Sequence, residues 1–315
     1  MTTRARRMRE LLRDEKVLVS VGIYDGYSAR LAEQMGFLCA STTGAGVVNT
    51  RLGQPDVGIM GLLENVEACR HIARSVRIPV MADADTGYGN AVTVYHAVEY
   101  FEEAGVVGVN LEDQVWPKRC GHMRGKELIE PREMAMKIEA ACKARKDADF
   151  IINARTDAVA IEGIDGAIRR AKLYIEAGAD MVYPDAIHSE EQIRRFCGEM
   201  RVPVSINMGF GIRSRPTTPL IPVKRLAEYG VKRVTLPRML PAAALAGMKQ
   251  AMQLMLQSVE TGEVIDRPDL LASIEDITSL MDYDRIARRE SEFMLTEQLE
   301  RKYGGADADY VIRSH

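Results

Sequence analysis

The sequence predicts a (β/α)8 barrel of the TIM type. Three observations point there: eight short runs dense in Val, Ile and Ala, helical patterns between them, and a glycine placed again and again between a helix and the next strand. The runs cover residues 17–23, 37–43, 79–85, 106–112, 150–156, 181–185, 202–208 and 233–237. They do not alternate in polarity, which is how parallel strands buried on both faces read.

In chain order, the arginine-rich start, M-T-T-R-A-R-R-M-R-E-L-L-R-D-E-K, reads as a short amphipathic helix leading into the first strand. Glu10, Asp14 and Glu15 argue against a transit peptide, and the apolar core of a signal peptide is missing, so a cytoplasmic protein is expected. Between the third and fourth runs, Val94, Ala97, Val98 and Phe101 fall at i, i+3, i+4 and i+7, one apolar stripe of a helix over 90–104. Gly36, Gly105, Gly178 and Gly230 each follow a helix and precede a strand, so one αβ turn is reused, with glycine taking the left-handed conformation that ends a helix. A doubly wound open sheet is the competitor, but no G-x-G-x-x-G follows the first strand. A barrel typically takes about 250 residues. The barrel is therefore assigned to 1–265, closing with a long helix from Pro241 to near Val264. Residues 266–315 read as a helical extension, including a helix over 283–302, too short for a core of its own and expected to pack on its own barrel or on a neighbouring subunit.

Composition excludes several classes of function. With 42 basic and 45 acidic side chains, a net charge of −3 leaves no basic footprint for nucleic acid. No run approaches the roughly 18 apolar residues of a membrane span. Five cysteines, scattered and without a Cys-x-x-Cys pair, fit a reducing compartment and give no reason to expect disulfides or structural zinc.

In a barrel of this kind chemistry collects at the C-terminal ends of the strands. The third run ends in Ala82-Asp83-Ala84-Asp85-Thr86-Gly87 and the fourth in Leu111-Glu112-Asp113. Asp83 and Asp85, two apart on one strand, point the same way, and Glu112 joins them from the adjacent strand. Three carboxylates brought together need a counter-charge, and a hard divalent cation such as magnesium supplies it; the alternative is helix capping or pairing with Arg155 and nearby lysines. Asp56 is either a further acid near the metal or a turn residue. Ser41-Thr42-Thr43-Gly44-Ala45-Gly46 ends the second strand with small residues that let backbone amides approach an anion. The segment Trp116-Pro117-Lys118-Arg119-Cys120-Gly121-His122-Met123-Arg124-Gly125-Lys126 surrounds a cysteine with cations that favour thiolate, in a loop whose glycines would let it close over the site. A solvated basic loop with an incidental cysteine is the plainer reading of the same composition.

The segments A-D-A-D-T-G-Y-G-N, L-E-D-Q-V-W-P-K-R-C-G-H-M-R-G-K, N-A-R-T-D-A and L-G-Q-P-D resemble the isocitrate lyase/phosphoenolpyruvate mutase superfamily. Within it, the K-R-C-G-H loop is similar to that of the carbon–carbon lyases: 2-methylisocitrate lyase, 2,3-dimethylmalate lyase and petal-death-type oxaloacetate hydrolases. The resemblance runs in order from about residue 8 to 300. It implies a (β/α)8 barrel with C-terminal helices exchanged between subunits of a homotetramer, a dimer of dimers. It also implies magnesium, or manganese, at Asp83, Asp85 and Glu112 with Asp56 nearby, and the α-keto-acid part of the substrate at Thr43, Gly44 and Ala45. By the same resemblance Arg155 holds a substrate carboxylate, Cys120 is the catalytic cysteine with Lys118, Gly121 and His122 as gating-loop neighbours, and Asn207 binds substrate. Three positions depart from the pattern: Asp185 stands where many of these lyases carry glutamate, shortening a substrate-site carboxylate by one methylene; Ser41 stands where methylisocitrate lyases tend to have tyrosine; and Arg213 and Arg215 have no counterpart.

The implied reaction is a retro-aldol cleavage of a 2-hydroxy di- or tricarboxylate to an α-keto acid and a carboxylate. Arg155, His122 and Lys118 stabilise the developing charge, and Cys120 is the general acid. Asp56, Tyr24 or a metal-bound hydroxide are the choices for the hydroxyl's base. The rivals are oxaloacetate hydrolysis or decarboxylation, phosphonate chemistry (whose enzymes carry asparagine and serine in the gating loop), a Schiff-base aldolase (for which no lysine lies in the eight runs), and a non-catalytic barrel that binds a keto acid.

Overall fold

The computed structural model describes residues 3–121, 123–210 and 219–304. Eight parallel strands close into a barrel in sequence order: β1 Leu18–Ile23, β2 Cys39–Thr42, β3 Val80–Asp83, β4 Gly108–Glu112, β5 Ile151–Thr156, β6 Met181–Pro184, β7 Val204–Asn207 and β8 Val231–Leu236. All eight expected runs are strands. The helices that precede and separate them are α1 Arg4–Asp14, α2 Gly26–Gln34, α3 Gly44–Leu52, α4 Leu62–Ser75, α5 Ala91–Glu103, α6 Pro131–Ala144, α7 Val159–Glu176, α8 Glu190–Glu199 and α9 Val223–Glu228. After the barrel come α10 Met239–Thr261, α11 Ile274–Leu280, α12 Tyr283–Phe293 and α13 Thr296–Tyr303. The chain divides into two compact units, Met1–Ala243 and Ala244–His315. In the second unit, the single helix expected over 283–302 is two, because Met294 takes an extended conformation and ends α12.

In the first unit, α1 is the expected amphipathic helix, and it plugs the N-terminal end of the barrel. Ala5, Met8, Leu11 and Leu12 pack against Leu18, Cys39, Met81, Val107, Ile151 and Met181, an apolar floor from which water is excluded. Thr3 caps α1 by accepting from Arg6 N, and Arg9 ties it to the barrel through Asp180 at 2.9 Å. The four αβ-turn glycines all have positive φ: 85° at Gly36, 89° at Gly105, 107° at Gly178 and 92° at Gly230. A side chain at any of them would be strained, which explains the repeat seen in the sequence. β8 starts two residues before the expected run and so includes Lys232. Its ammonium donates to Glu15 O at 3.1 Å, at the plugged end, so it does not supply a Schiff-base lysine.

Above the apolar floor the barrel interior turns polar. The Ser20 and Ser41 hydroxyls are 2.9 Å apart, Asn153 donates to Asn110 at 2.7 Å, and Arg233 donates to Ser20 and Ser41. Small-domain barrels usually fill this layer with branched apolar side chains. Here hydroxyls, amides and a guanidinium stand between the floor and the C-terminal mouth.

Candidate active site

Strand register assembles the mouth. Glu112 on β4 pairs with Arg155 on β5, and Arg155 pairs with Tyr183 on β6. The Arg155 guanidinium consequently reaches Glu112 at 3.2 Å, Asp157 at 2.8 Å and Asp185 at 3.0 Å, and lies 5.4 Å from the centre of the Tyr183 ring. Asp185 also accepts from Tyr183 at 2.6 Å and from Asn207 at 3.2 Å. The shorter carboxylate noted in the sequence is thus pinned by three donors on three strands.

Asp83 is the last residue of β3, but Asp85 lies beyond the strand with φ of 47°. The two do not meet through strand alternation as expected; a left-handed turn brings them together, and Asp85 N donates to Asp83 at 3.3 Å. The Glu112 amide donates to Asp85 O at 2.9 Å, which ties the end of β4 to the turn after β3. Asp83 accepts from the Gly44 amide at 3.0 Å, at the start of α3. A Cβ on Gly44 would sit 2.7 Å from that Asp83 oxygen, so only glycine allows the contact. Thr43 caps α3, whose first-turn amides make a ready anion site.

Lys118 is buried between the acids, 2.5 Å from Asp56 and 2.9 Å from Asp85. Burial alone would push its ammonium down, but Asp85, Glu112, Asp56 and Asp83 outweigh that and the net shift is upward. Asp56 thus faces the mouth and pairs with Lys118. Burial pushes Asp85 up to about 6 even with Lys118 beside it, and pushes Glu112 well above the usual carboxylate range. Among the described residues no three acids, histidines or cysteines converge into a ligand set. Yet Glu112 Oε1 is buried without a hydrogen-bond donor, and Asp85 Oδ1 faces the Lys118 ammonium at 2.9 Å. Hard carboxylate oxygens that burial keeps reluctant to ionise even with Lys118 and Arg155 beside them fit a small divalent cation.

The loop after β4 lies over the mouth. Gln114 clasps it by donating to Arg119 O and accepting from Arg119 N, both at 2.9 Å. Lys126 donates to Gly121 O at 2.6 Å and to Asp157 at 3.0 Å. Gly121 is packed so tightly that a Cβ there would run into the Asp185 carboxylate and the Arg155 guanidinium. Cys120 is buried, and Arg238, in the β8–α10 connection, approaches its Sγ at 2.7 Å. Thr43, Ala45, Asp56, Asp83, Lys118 and Cys120 line one cavity, which Gly121, Arg155, Asp185, Asn207, Pro237 and Arg238 complete. His122, Arg213 and Arg215 lie outside the described residues.

The expected residues that are described thus meet around one mouth. Sequence reasoning missed Arg238, Lys126, Asp157 and Tyr183. Lys126 and Asp157 sit in or next to the quoted motifs, and their spacing to Gly121 and Arg155 was the available signal. Arg238 lies 118 residues from Cys120 and carried none. Tyr24 lines neither cavity at the mouth, and burial pushes its phenol up, away from what a base needs.

Comparison with known proteins gives a consistent set. Residues 8–256 match the model of a family described as phosphoenolpyruvate phosphomutase. A 2-methylisocitrate lyase of Aeropyrum pernix is 37% identical over 292 residues, 91% of this chain and 92% of that protein. A 2,3-dimethylmalate lyase of Eubacterium barkeri is 36% identical over 289 residues, 92% of this chain and 98% of that protein. Among solved structures, oxaloacetate acetylhydrolase in complex with the inhibitor 3,3-difluorooxalacetate superposes with a TM-score of 0.83 at 29% identity, covering 96% of this chain and 98% of that one. Phosphonopyruvate hydrolase in complex with oxalate and magnesium gives 0.80 at 27% identity, covering 93% and 100%.

Proposed function

The chain belongs to the phosphoenolpyruvate mutase/isocitrate lyase superfamily, and from that premise we propose that it is a magnesium-dependent carbon–carbon lyase that cleaves a 2-hydroxy di- or tricarboxylate to an α-keto acid and a carboxylate. One observation carries the reading: a buried thiol shares a cavity with Asp56, Asp83, Lys118 and Arg155, so an acid and the charges that stabilise an anion face the same space.

Asp83, Asp85 and Glu112, with Asp56 nearby, would hold magnesium or manganese, which when bound acidifies the substrate hydroxyl and polarises its carboxylate. The α3 N-terminus at Thr43, Gly44 and Ala45 receives the α-keto-acid half. Arg155 is oriented by Asp157 and Asp185 and offers its guanidinium to a substrate carboxylate. As the carbon–carbon bond breaks, charge grows on the departing carboxylate fragment, and Arg155 and Lys118 stabilise it. Cys120 then delivers its proton to the carbanion carbon, and Arg238 steadies the thiolate left behind. We take Asp56, which lines the mouth, as the acceptor of the hydroxyl proton. We retain His122 as a further cation of the loop.

The test is to incubate the protein and magnesium with 2-methylisocitrate, 2,3-dimethylmalate, oxaloacetate and methylated malates, and to assay the products. An α-keto acid released from a 2-hydroxy acid, and abolished by EDTA, supports the lyase; oxalate and acetate from oxaloacetate would select the hydrolase instead. Magnesium-dependent binding of oxalate with no turnover across the panel would leave a keto-acid-binding barrel. No helix among the described residues is long and apolar enough to cross a membrane. We assign the protein to the cytoplasm as a homotetramer in which residues 266–315 extend a barrel of residues 1–265. The exposed stripe Leu245, Met248, Met252, Met255, Leu256 and Val259 on α10 supports burial against another copy.

A further inference from the structure

Below the mouth, on the barrel axis side of Asp83, lies a second cavity of about 50 Å³. Ser20, Ser41, Tyr183, Ser205, Asn207 and Thr235 are among the side chains that line it. It shares Thr43, Asp83, Arg155, Asn207 and Pro237 with the mouth, so the two adjoin. Lys118, Cys120 and Asp56 line the mouth but not this well. The well therefore opens on the side of the site that holds the α-keto-acid half, away from the thiol that protonates the other fragment.

Its chemistry is unlike that of a packed barrel interior. Arg233 is fully buried in β8, and its Nη2 reaches the Ser20 and Ser41 hydroxyls that line the well. Its Nε and Nη1 have no partner, and neither does the Ser205 hydroxyl or the Asn153 carbonyl oxygen. Burial presses the Arg233 guanidinium below the usual arginine range, and Cys39 and Tyr183 offset that only in part. A guanidinium without a counter-ion, beneath a row of hydroxyls, is costly to bury unless an acceptor completes it.

We infer that this well is a subsite for the side chain of the α-keto-acid half, and that it selects a side chain ending in a second carboxylate, held by the Ser20, Ser41 and Ser205 hydroxyls over Arg233. The inference rests on the lyase reading and narrows it. The substrate is a 2-hydroxy acid whose cleavage releases a 2-oxo dicarboxylate rather than a 2-oxo acid with an alkyl arm. The arm enters the barrel while the bond that breaks stays at the mouth. A well of this size admits a carboxylate or a few waters and little more.

The experiment is equilibrium binding to the full chain with magnesium, by calorimetry, using two pairs of probes that exchange one carboxylate for a methyl group: oxaloacetate against 2-oxobutyrate, and 2-oxoglutarate against 2-oxopentanoate. At least one diacid should bind about tenfold or more tightly than its methyl partner, the scale of one charge-assisted hydrogen bond. Arg233→Met keeps the length of the side chain without its charge and should abolish the preference while changing pyruvate affinity by less than about twofold. Ser41→Ala, a milder change in case Arg233→Met fails to fold, should reduce the preference severalfold. Equal or tighter binding of the methyl partners in both pairs, or a preference untouched by both variants, overturns the subsite and leaves the lyase standing. If no 2-oxo acid binds in a magnesium-dependent way, the lyase reading falls, and the subsite with it.

Discussion

Arg238 Nη2 lies 2.7 Å from Cys120 Sγ, joining the β8–α10 connection to the loop after β4 at the one thiol in the mouth. At that distance the guanidinium can hydrogen-bond the sulfur and hold it in place over the mouth. Cys120→Ala should lower kcat by about 10² or more, or about 2.7 kcal/mol of barrier. Arg238→Met should lower it by roughly tenfold. Binding of magnesium and α-keto acid should survive both changes. Steady-state kinetics paired with calorimetry separates the two effects; near-normal turnover without the thiol removes Cys120 from the chemistry.

Asp83 accepts from the Gly44 amide on one oxygen and from the Asp85 amide on the other, so replacing its carboxylate by an amide keeps the size, removes the charge and leaves one of those two acceptors. Asp83→Asn should raise the magnesium concentration needed for half-maximal activity by about tenfold or more, in line with losing one hard anionic ligand. An unchanged magnesium titration would mean that other carboxylates hold the ion.

Gly121 has no room for a side chain because Asp185 and Arg155 stand where its Cβ would be. Neither can yield cheaply: Arg155 is tied to Glu112 and Asp157, and Asp185 to Tyr183 and Asn207. Gly121→Ala should therefore lift the loop and cut kcat/KM by about 10², the scale of a 1 Å misplacement at a catalytic group. The melting temperature should scarcely move, since the barrel core is untouched. A variant with full activity would show that the loop need not lie this close.

Cys69, in α4, is buried, and burial pushes its thiol up to about 12 from the usual 9.0. The folded state holds the thiol protonated more strongly than the unfolded chain does. Its contribution to stability is accordingly complete below pH 9 and is lost as the pH climbs from 9 towards 12. Iodoacetamide at pH 10 should leave Cys69 unmodified in the native protein and label it readily in urea, as read by mass spectrometry of peptides. Native labelling at the unfolded rate would contradict the burial.

The α10 stripe offers a test of assembly. Met252→Glu with Met255→Glu places two charges in a surface proposed to be covered by another copy, and should shift the protein from tetramer to smaller species by light scattering. A tetramer unaffected by both charges would place the interface elsewhere.

The eight strands, the plugging helix and the αβ turns were legible in the sequence because each depends on local periodicity: apolar runs, a 3.6-residue stripe, and glycine where φ must be positive. Asp83, Asp85 and Glu112 could be placed at one mouth because a barrel puts strand ends on one face whatever the details of packing, and the Cys120 loop drew notice because its K-R-C-G-H motif resembles that of the family's lyases. Residues 294–295 misled because an extended break in a polar helix leaves the apolar spacing on either side intact. Only the tertiary structure decided that Asp85 turns through a left-handed conformation to meet its partners, that Lys118 sits among the acids, and that Arg238 reaches Cys120. The polar well around Arg233 belongs to the same group. These depend on distances between residues far apart in the chain, which closure of the barrel sets and which no pattern within one segment records.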